Sequence, residues 1–180
     1  AARAAARLLP PKKAQLALGI SPADAPVPAM LSATYLLWSP ARAGPEVRAA
    51  LEKAANRDDL KYFVRAPSAP MVGLLPPALA GAAAAAPPPK AAVAGAGKSL
   101  SLSYDASNDD HRAVAERLQV RLQSSGYRVA LEPLPRRALR AAWARGEYTL
   151  MLQQVLLPPV PAPALAVVAT LSRKPEALQR

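Results

Sequence analysis

The stretch SLSLSYDASNDDHRAVAERLQVRLQSSGYRVALEPLPRRALRAAWARGEYTLML, residues 99–152, holds the clearest alternation of strand and helix signals in the chain. Leu100, Leu102 and Tyr104 alternate with Ser101 and Ser103, the period of two that belongs to a strand with one polar face. Ser107 and Asn108 follow as N-cap candidates for a helix from Asp109 to Ser125, and the two acids at its start suit the positive end of the helix dipole. Val114, Ala115, Leu118 and Leu122 form its apolar stripe. Gly126 stands where the left-handed residue of a helix C-terminus is wanted. Tyr127 to Leu131 reads as a second strand, Arg136 to Arg145 as a helix closed by Gly146, and Tyr148 to Leu152 as a third strand. Strand, helix, strand, helix, strand with short connections predicts parallel pairing through right-handed crossovers, an α/β layer.

On the N-terminal side of this block, Tyr35-Leu36-Leu37-Trp38 is an apolar run of strand character ended by Ser39-Pro40. Gly44-Pro45 opens a helix with Val47, Ala50, Leu51 and Ala54 as its buried stripe, and Asn56 ends it. A second short helix from Asp58 to Val64 turns Leu60 and Phe63 inward. Residues 1–30 hold a helix-like opening and a polar, Pro-punctuated stretch. From Pro67 to Gly97 the chain is rich in Pro, Ala and Gly, and Pro87-Pro88-Pro89 favours polyproline II. Past Gln154 the pattern fails: Pro158, Pro159, Pro161 and Pro163 exclude a central strand, and Ala164 to Leu171 is an apolar run of unassigned type. The expected division is a strand and helix pair over 1–66, a connection over 67–98, an α/β block over 99–154 and a Pro-rich tail over 155–180.

Composition narrows the function. Of the 180 residues 52% are hydrophobic, but many are alanine and aromatics are only 4%, so Leu, Val, Tyr and Trp must carry the core. The net charge of +11 comes from basic residues mixed with acids, as in Arg112, Glu116, Arg117 and Arg121, without interleaved stacking aromatics, which argues against a nucleic-acid partner. No cysteine is present, so there is no disulfide framework and no thiolate metal site. No apolar run approaches the roughly 20 residues that span a bilayer. The opening AARAAARLL is too short for a signal peptide, so an export signal is expected upstream.

Chemical motifs are few. Ala94 to Ser99 imitates the end of a phosphate-binding loop, but Ala92 replaces its first Gly and a strand follows instead of a helix. His111 is the only histidine and is expected to be exposed in a helix's first turn. Asp105, Asp109 and Asp110 form the one carboxylate cluster of note; capping accounts for the last two, and neither a metal nor another cofactor is expected. No catalytic constellation is present, so the chain is not expected to be an enzyme. Tyr35 and Trp38 read either as core aromatics or as cleft-lining residues, and Trp143 as packing. Gln153 and Gln154 end the third strand, and open α/β sheets bind ligands outside the carboxyl ends of their strands. Their amides suit an uncharged polar ligand better than an ammonium group.

The order of these pieces resembles the family 5 solute-binding proteins, which serve peptide and nickel ABC importers. Leu37-Trp38-Ser39, then Arg48-Ala49-Ala50-Leu51, then Arg57-Asp58 are similar to the family's strand, Arg-x-Ala-Leu helix and following helix start, with Ser39 in place of an Asn. Gly73-Leu74-Leu75-Pro76-Pro77 looks like its small-apolar-Pro-Pro turn. The block from Ser99 to Leu152 matches its order through Gly-Glu-Tyr-Thr-Leu, where Thr149 stands for the family's Asp. The resemblance implies a periplasmic-binding-protein-like lobe with a mostly parallel sheet and flanking helices, one lobe of a larger two-lobe protein. It implies a monomeric, extracytoplasmic, non-catalytic protein that captures a peptide or other polar solute and hands it to a membrane permease. Membrane contact would come only through that permease or an upstream lipid anchor. Tyr35, Trp38, Gln153, Gln154 and Val155 are the expected ligand-binding residues. The family's cleft Trp and ammonium-binding Asp fall on Val155 and Pro158, and the helix after its Pro-Pro turn is replaced by an Ala/Pro tract. A domain that keeps the fold for a structural or regulatory role, without ligand binding, is the alternative.

Overall fold

The computed structural model describes residues 31–44, 46–55, 57–65, 71, 74–76, 79 and 97–172. The expected opening over 1–30, Pro45, Asn56, most of the Pro/Ala/Gly-rich connection and the end of the tail lie outside the described residues. Ten helices and strands with a short 3-10 turn organise what remains. They are β1 (Leu31–Trp38), α1 (Pro40–Ala43), α2 (Glu46–Ala54), α3 (Arg57–Leu60) with a 3-10 turn (Lys61–Phe63), β2 (Ser99–Asp105), α4 (Asp109–Ser124), β3 (Arg128–Leu134), α5 (Arg136–Arg145), β4 (Leu150–Leu157) and α6 (Pro161–Ser172).

The strands form one sheet in the order β1-β4-β2-β3. β2 runs parallel to both β3 and β4, while β1 pairs antiparallel with β4 along its whole length, from Leu31 opposite Leu157 to Trp38 opposite Leu150. The parallel crossovers and the α/β class are those expected from the alternation in residues 99–152. The sheet is mostly parallel, with one antiparallel edge strand.

Helices cover both faces. On one, Val47, Ala50 and Leu51 of α2 and Leu118 and Leu122 of α4 pack on Leu100, Leu102, Leu150 and Leu152. The other has two patches: Leu139 and Ala142 of α5 with Tyr148 and Met151, and Ala164 and Val168 of α6 with Ala33, Leu75 and Leu157. The alternation Leu150, Met151, Leu152 assigns successive β4 residues to opposite faces, as the pleat requires. Because alanine is a large share of the apolar residues, the fully buried bulk falls on few side chains, chiefly leucines with Met151 and Val47.

The ends of the helices follow local chemistry. The Asn108 side chain caps α4 by accepting the N–H groups of Asp110 and His111 at 3.0 and 3.2 Å. Gly126, at φ 85°, lets the chain reverse, and the Tyr127 N–H returns to the Leu122 carbonyl at 3.1 Å. Gly146 does the same after α5 at φ 71°, with the Glu147 N–H on the Ala142 carbonyl.

Several boundaries differ from the sequence expectation. β4 continues through Gln153 and Gln154 to Leu157, because β1 pairs with it throughout and Pro158 is the first residue that cannot donate. The Ala164–Leu171 run is helical: Pro161 and Pro163 lie in the first turn of α6, where amide donors lack intrahelical partners. β3 extends to Leu134 through Pro133, which an edge strand tolerates. Arg128 donates to Lys98 and Leu134 accepts from Ala106, so residues at that spacing face β2 and Pro133 and Val129 turn their main chains outward. The Val129 carbonyl is occupied by the Gln119 side chain, so this edge offers little to a pairing strand. His111 is a correction: it is 4% exposed rather than on the outer face, because its position continues the stripe of Val114, Ala115, Leu118 and Leu122.

Candidate functional site

Parallel strands leave their polar connections at the carboxyl ends, and here the polar side chains gather at the end of β2. Asp105 is its last residue, and a tight turn through Ala106 and Ser107 leads to the Asn108 cap. Asp105 Oδ1 accepts the Ser107 N–H at 3.0 Å and the Ser107 hydroxyl at 2.7 Å. Its Oδ2 accepts Arg136 Nε at 3.0 Å. Arg136 is the first residue of α5, delivered to this edge because β3 ends at Leu134 beside Ala106. Burial pushes the Asp105 carboxyl upward, but the Ser107 hydroxyl, Arg136 and the Ser107 amide together hold it below the ordinary carboxylate range.

The second half of the edge is an amide chain. Asn108 Nδ2 donates to Gln154 Oε1 at 3.2 Å, and Gln154 Nε2 donates to Ser32 Oγ at 2.6 Å. The helix cap, β4 and β1 are thus joined by three neutral side chains in sequence. Beside them Arg65 pairs with Asp109 at 2.5 Å and Asp110 at 3.1 Å, so both first-turn acids of α4 are neutralised.

His111 lies behind this edge, within the influence of Asp105, Asp110 and Arg136. Burial lowers its pKa, the two acids oppose that shift, and Arg136 adds to it. Neither ring nitrogen has a hydrogen-bond partner among the described residues.

The five expected ligand residues do not converge. Gln154 belongs to the edge just described. Gln153 points to the opposite face, where its buried Oε1 has no partner among the described residues. Tyr35 faces Gln153 across the β1–β4 pair and donates its hydroxyl to the Leu74 carbonyl at 2.8 Å; burial raises its pKa. Val155 pairs with Ala33 and packs in the α6 patch with Tyr35 and Leu157. Trp38 sits at the other end of β1, packed with the α2 face, with the Arg48 guanidinium 5.8 Å from its ring centre. Tyr35, Gln153 and Val155 therefore share one face, Gln154 and Trp38 the other, and Trp38 stands at the opposite edge of the sheet.

Sequence reasoning singled out Asp105 only as part of an acidic cluster, and passed over Arg136, Asn108's second bond and Ser32. Asp-Ala-Ser after a strand is a turn signal that points to Asp105. Nothing local links Asp105 to Arg136, which the fold brings together across β3. A cavity of about 300 Å³ lined by Ser99, Leu100, Gln123, Tyr127, Arg128, Val129 and Ala130 lies at the far edge. Among the described residues there is no cluster of three metal-ligating side chains, and no helix long and apolar enough to cross a membrane.

No family model and no curated sequence matches the chain. Solved structures do. The Escherichia coli murein tripeptide binding protein MppA superposes with a TM-score of 0.67 at 17% identity, covering 83% of this chain and 35% of that one. HbpA2 from Haemophilus parasuis gives 0.68 at 17%, covering 80% and 34%. The ABC transporter-associated periplasmic binding protein DppA from Helicobacter pylori, in complex with peptide STSA, gives 0.63 at 21%, covering 76% and 29%. The chain thus spans about a third of the length of these structures. MppA and DppA are binding proteins, and DppA is associated with an ABC transporter. At these identities the likeness speaks for the architecture, and the chain has the fold that its resemblance to the family 5 solute-binding proteins implies.

Proposed function

We propose that this chain is one lobe of the substrate-binding component of an ABC importer, capturing a peptide-like or other polar solute outside the cytoplasm and delivering it to a membrane permease. The observation that carries this reading is the superposition over 83% of the chain on a tripeptide-binding protein, in one continuous α/β lobe. A polar, hydrogen-bonding sheet edge at the carboxyl ends of β2 and β3 supports it, because this is where open α/β sheets take their ligands. Gln154, held between Asn108 and Ser32, offers a fixed amide to such a solute. Gln153, Val155 and Tyr35 flank it from the other face of β4. In a two-lobe protein this edge forms half of a cleft, and solute contacts favour the closed state by hinge motion. The monomer acts without a cofactor and without catalysis.

Thermal-shift screening of the native, full-length protein against short peptides, sugars and metal chelates tests the reading. A saturable rise in Tm with one solute class is expected, since ligand at 100 times its Kd adds about 2.7 kcal/mol. No shift with any class would favour a structural role.

A further inference from the structure

We propose that the outer edge of β1 is a strand-addition site, filled by an uncharged extended segment from the part of the two-lobe protein that lies beyond these 180 residues. The inference rests on the one-lobe reading above and concerns how the lobe is completed, not what it binds. β1 stands at the end of the sheet order β1-β4-β2-β3. The Ser39 N–H reaches the Thr149 carbonyl at 2.9 Å, in line with the register that sets Trp38 opposite Leu150. Bonded and unbonded positions alternate along an antiparallel ladder, so Leu31, Ala33, Tyr35 and Leu37 direct their main-chain groups to β4. Ser32, Thr34, Leu36 and Trp38 turn theirs away from the sheet, and among the described residues no main-chain group bonds to them.

The two edges of the sheet are built differently. β3 carries Arg128, Glu132 and Pro133, and the Gln119 side chain covers the Val129 carbonyl. Those are devices that keep a strand edge from pairing. β1 has eight residues without a charge or a proline. Tyr35, Leu36, Leu37 and Trp38 are only half-buried, on alternate faces, and a neighbouring strand covers such side chains from the side. The buried Trp38 Nε1 has no partner among the described residues. An edge of this length and composition is a template for pairing. Two observations assign the occupant to the same protein. The chain spans about a third of the length of the structures it superposes on, so most of a protein of that size lies outside it. Pro22, Pro26 and Pro28 leave the sequence just before β1 poor in the donors a hairpin partner needs. A strand tethered to the lobe also meets the edge at a high effective concentration, which a separate chain lacks. The consequence reaches the solute edge. The Ser32 hydroxyl accepts Gln154 Nε2 at 2.6 Å, so a strand paired to the Ser32 main chain steadies that amide.

The test is hydrogen exchange of the native, full-length protein, read by mass spectrometry with residue-level fragmentation. The Thr34, Leu36 and Trp38 amides are expected to exchange at least about a hundredfold more slowly than those of an unpaired edge. Thr34→Pro removes an outward N–H and no bond to β4, and is expected to speed exchange at Leu36 and Trp38 about tenfold. A photocrosslinker on Thr34→Cys identifies the occupant, and is expected to join a segment of the same molecule outside residues 1–180. Fast exchange at the three amides, with slow exchange at Tyr35 and Leu37, overturns the site. Crosslinks to a second copy, or only within residues 1–180, overturn the assignment of its occupant. A solute-induced rise in Tm beside either of those results leaves solute binding standing while the added strand falls.

Discussion

Replacing Asp105 separates what a buried acid does for the fold from what it does for the edge. Its carboxylate accepts three hydrogen bonds, two from Ser107 and one from Arg136. Asp105→Asn keeps an acceptor for Ser107 but sets an amide opposite the Arg136 donor. The bond to a charged group is worth about 1.5–3 kcal/mol. Arg136 is 64% exposed and regains water when released, so the net loss falls toward about 1–2 kcal/mol. Asp105→Ala also removes both Ser107 bonds, for a total of about 2–3 kcal/mol. Arg136→Gln breaks the same bond from its exposed side and leaves the buried carboxylate with its two Ser107 donors, so a similar loss of about 1–2 kcal/mol is expected. The folded Asp105 carboxyl lies below its ordinary 3.8, so its contribution is full above that pH and is lost as pH falls toward the lower folded value. Urea denaturation of the three variants, followed by far-ultraviolet circular dichroism at neutral pH and in steps below 3.8, measures all of this. The Asn penalty is expected to shrink with acidification. A penalty that grows as pH falls, or an Arg136→Gln cost equal to that of Asp105→Ala, would contradict this role for Asp105.

Other expectations concern the core and the cap. His111 is held neutral by burial and its folded pKa is lowered from 6.5, so stability is full above that pH and declines as pH falls below it, where the unfolded chain takes the proton first. His111→Leu is expected to raise stability by about 1 kcal/mol, since the imidazole nitrogens have no partners among the described residues, and to flatten the pH slope below 6.5; a slope unchanged in the variant contradicts this. Leu102→Ala, at a site 0% exposed between α4 and the sheet, is expected to cost about 2–5 kcal/mol in chemical denaturation. Asn108→Ala removes the α4 cap and the bond to Gln154 together, and a loss of about 1–2 kcal/mol is expected in the same assay, with faster amide exchange at Asp110 and His111.

The α/β block was legible because each signal in it is local. The alternation of Leu100, Leu102 and Tyr104, the cap at Asn108 and the reversal at Gly126 need only their neighbours. The apolar stripe of α2 appeared for the same reason, and Val47, Ala50, Leu51 and Ala54 are all buried. β4 was cut short because Gln153 and Gln154 look like the end of a strand, while its true extent is set by β1, remote in sequence. The helix from Pro161 was hidden by prolines that an initial turn accepts. His111 was placed outside because polar residues in a first helical turn usually face water, and its position on the stripe outweighed its polarity. Of the edge residues, Gln154 was named on the premise that its strand ends there, whereas β4 runs on to Leu157. Arg136 was not, since its meaning arises only when β3 brings it to Asp105.

Whether this edge takes a solute decides the function of the lobe. Isothermal titration of the native, full-length protein with short peptides is the most direct measurement. A saturable one-to-one isotherm for at least one peptide, weakened in Gln154→Ala, is the predicted result. Heat indistinguishable from dilution for every peptide, in a protein that unfolds cooperatively, would contradict it.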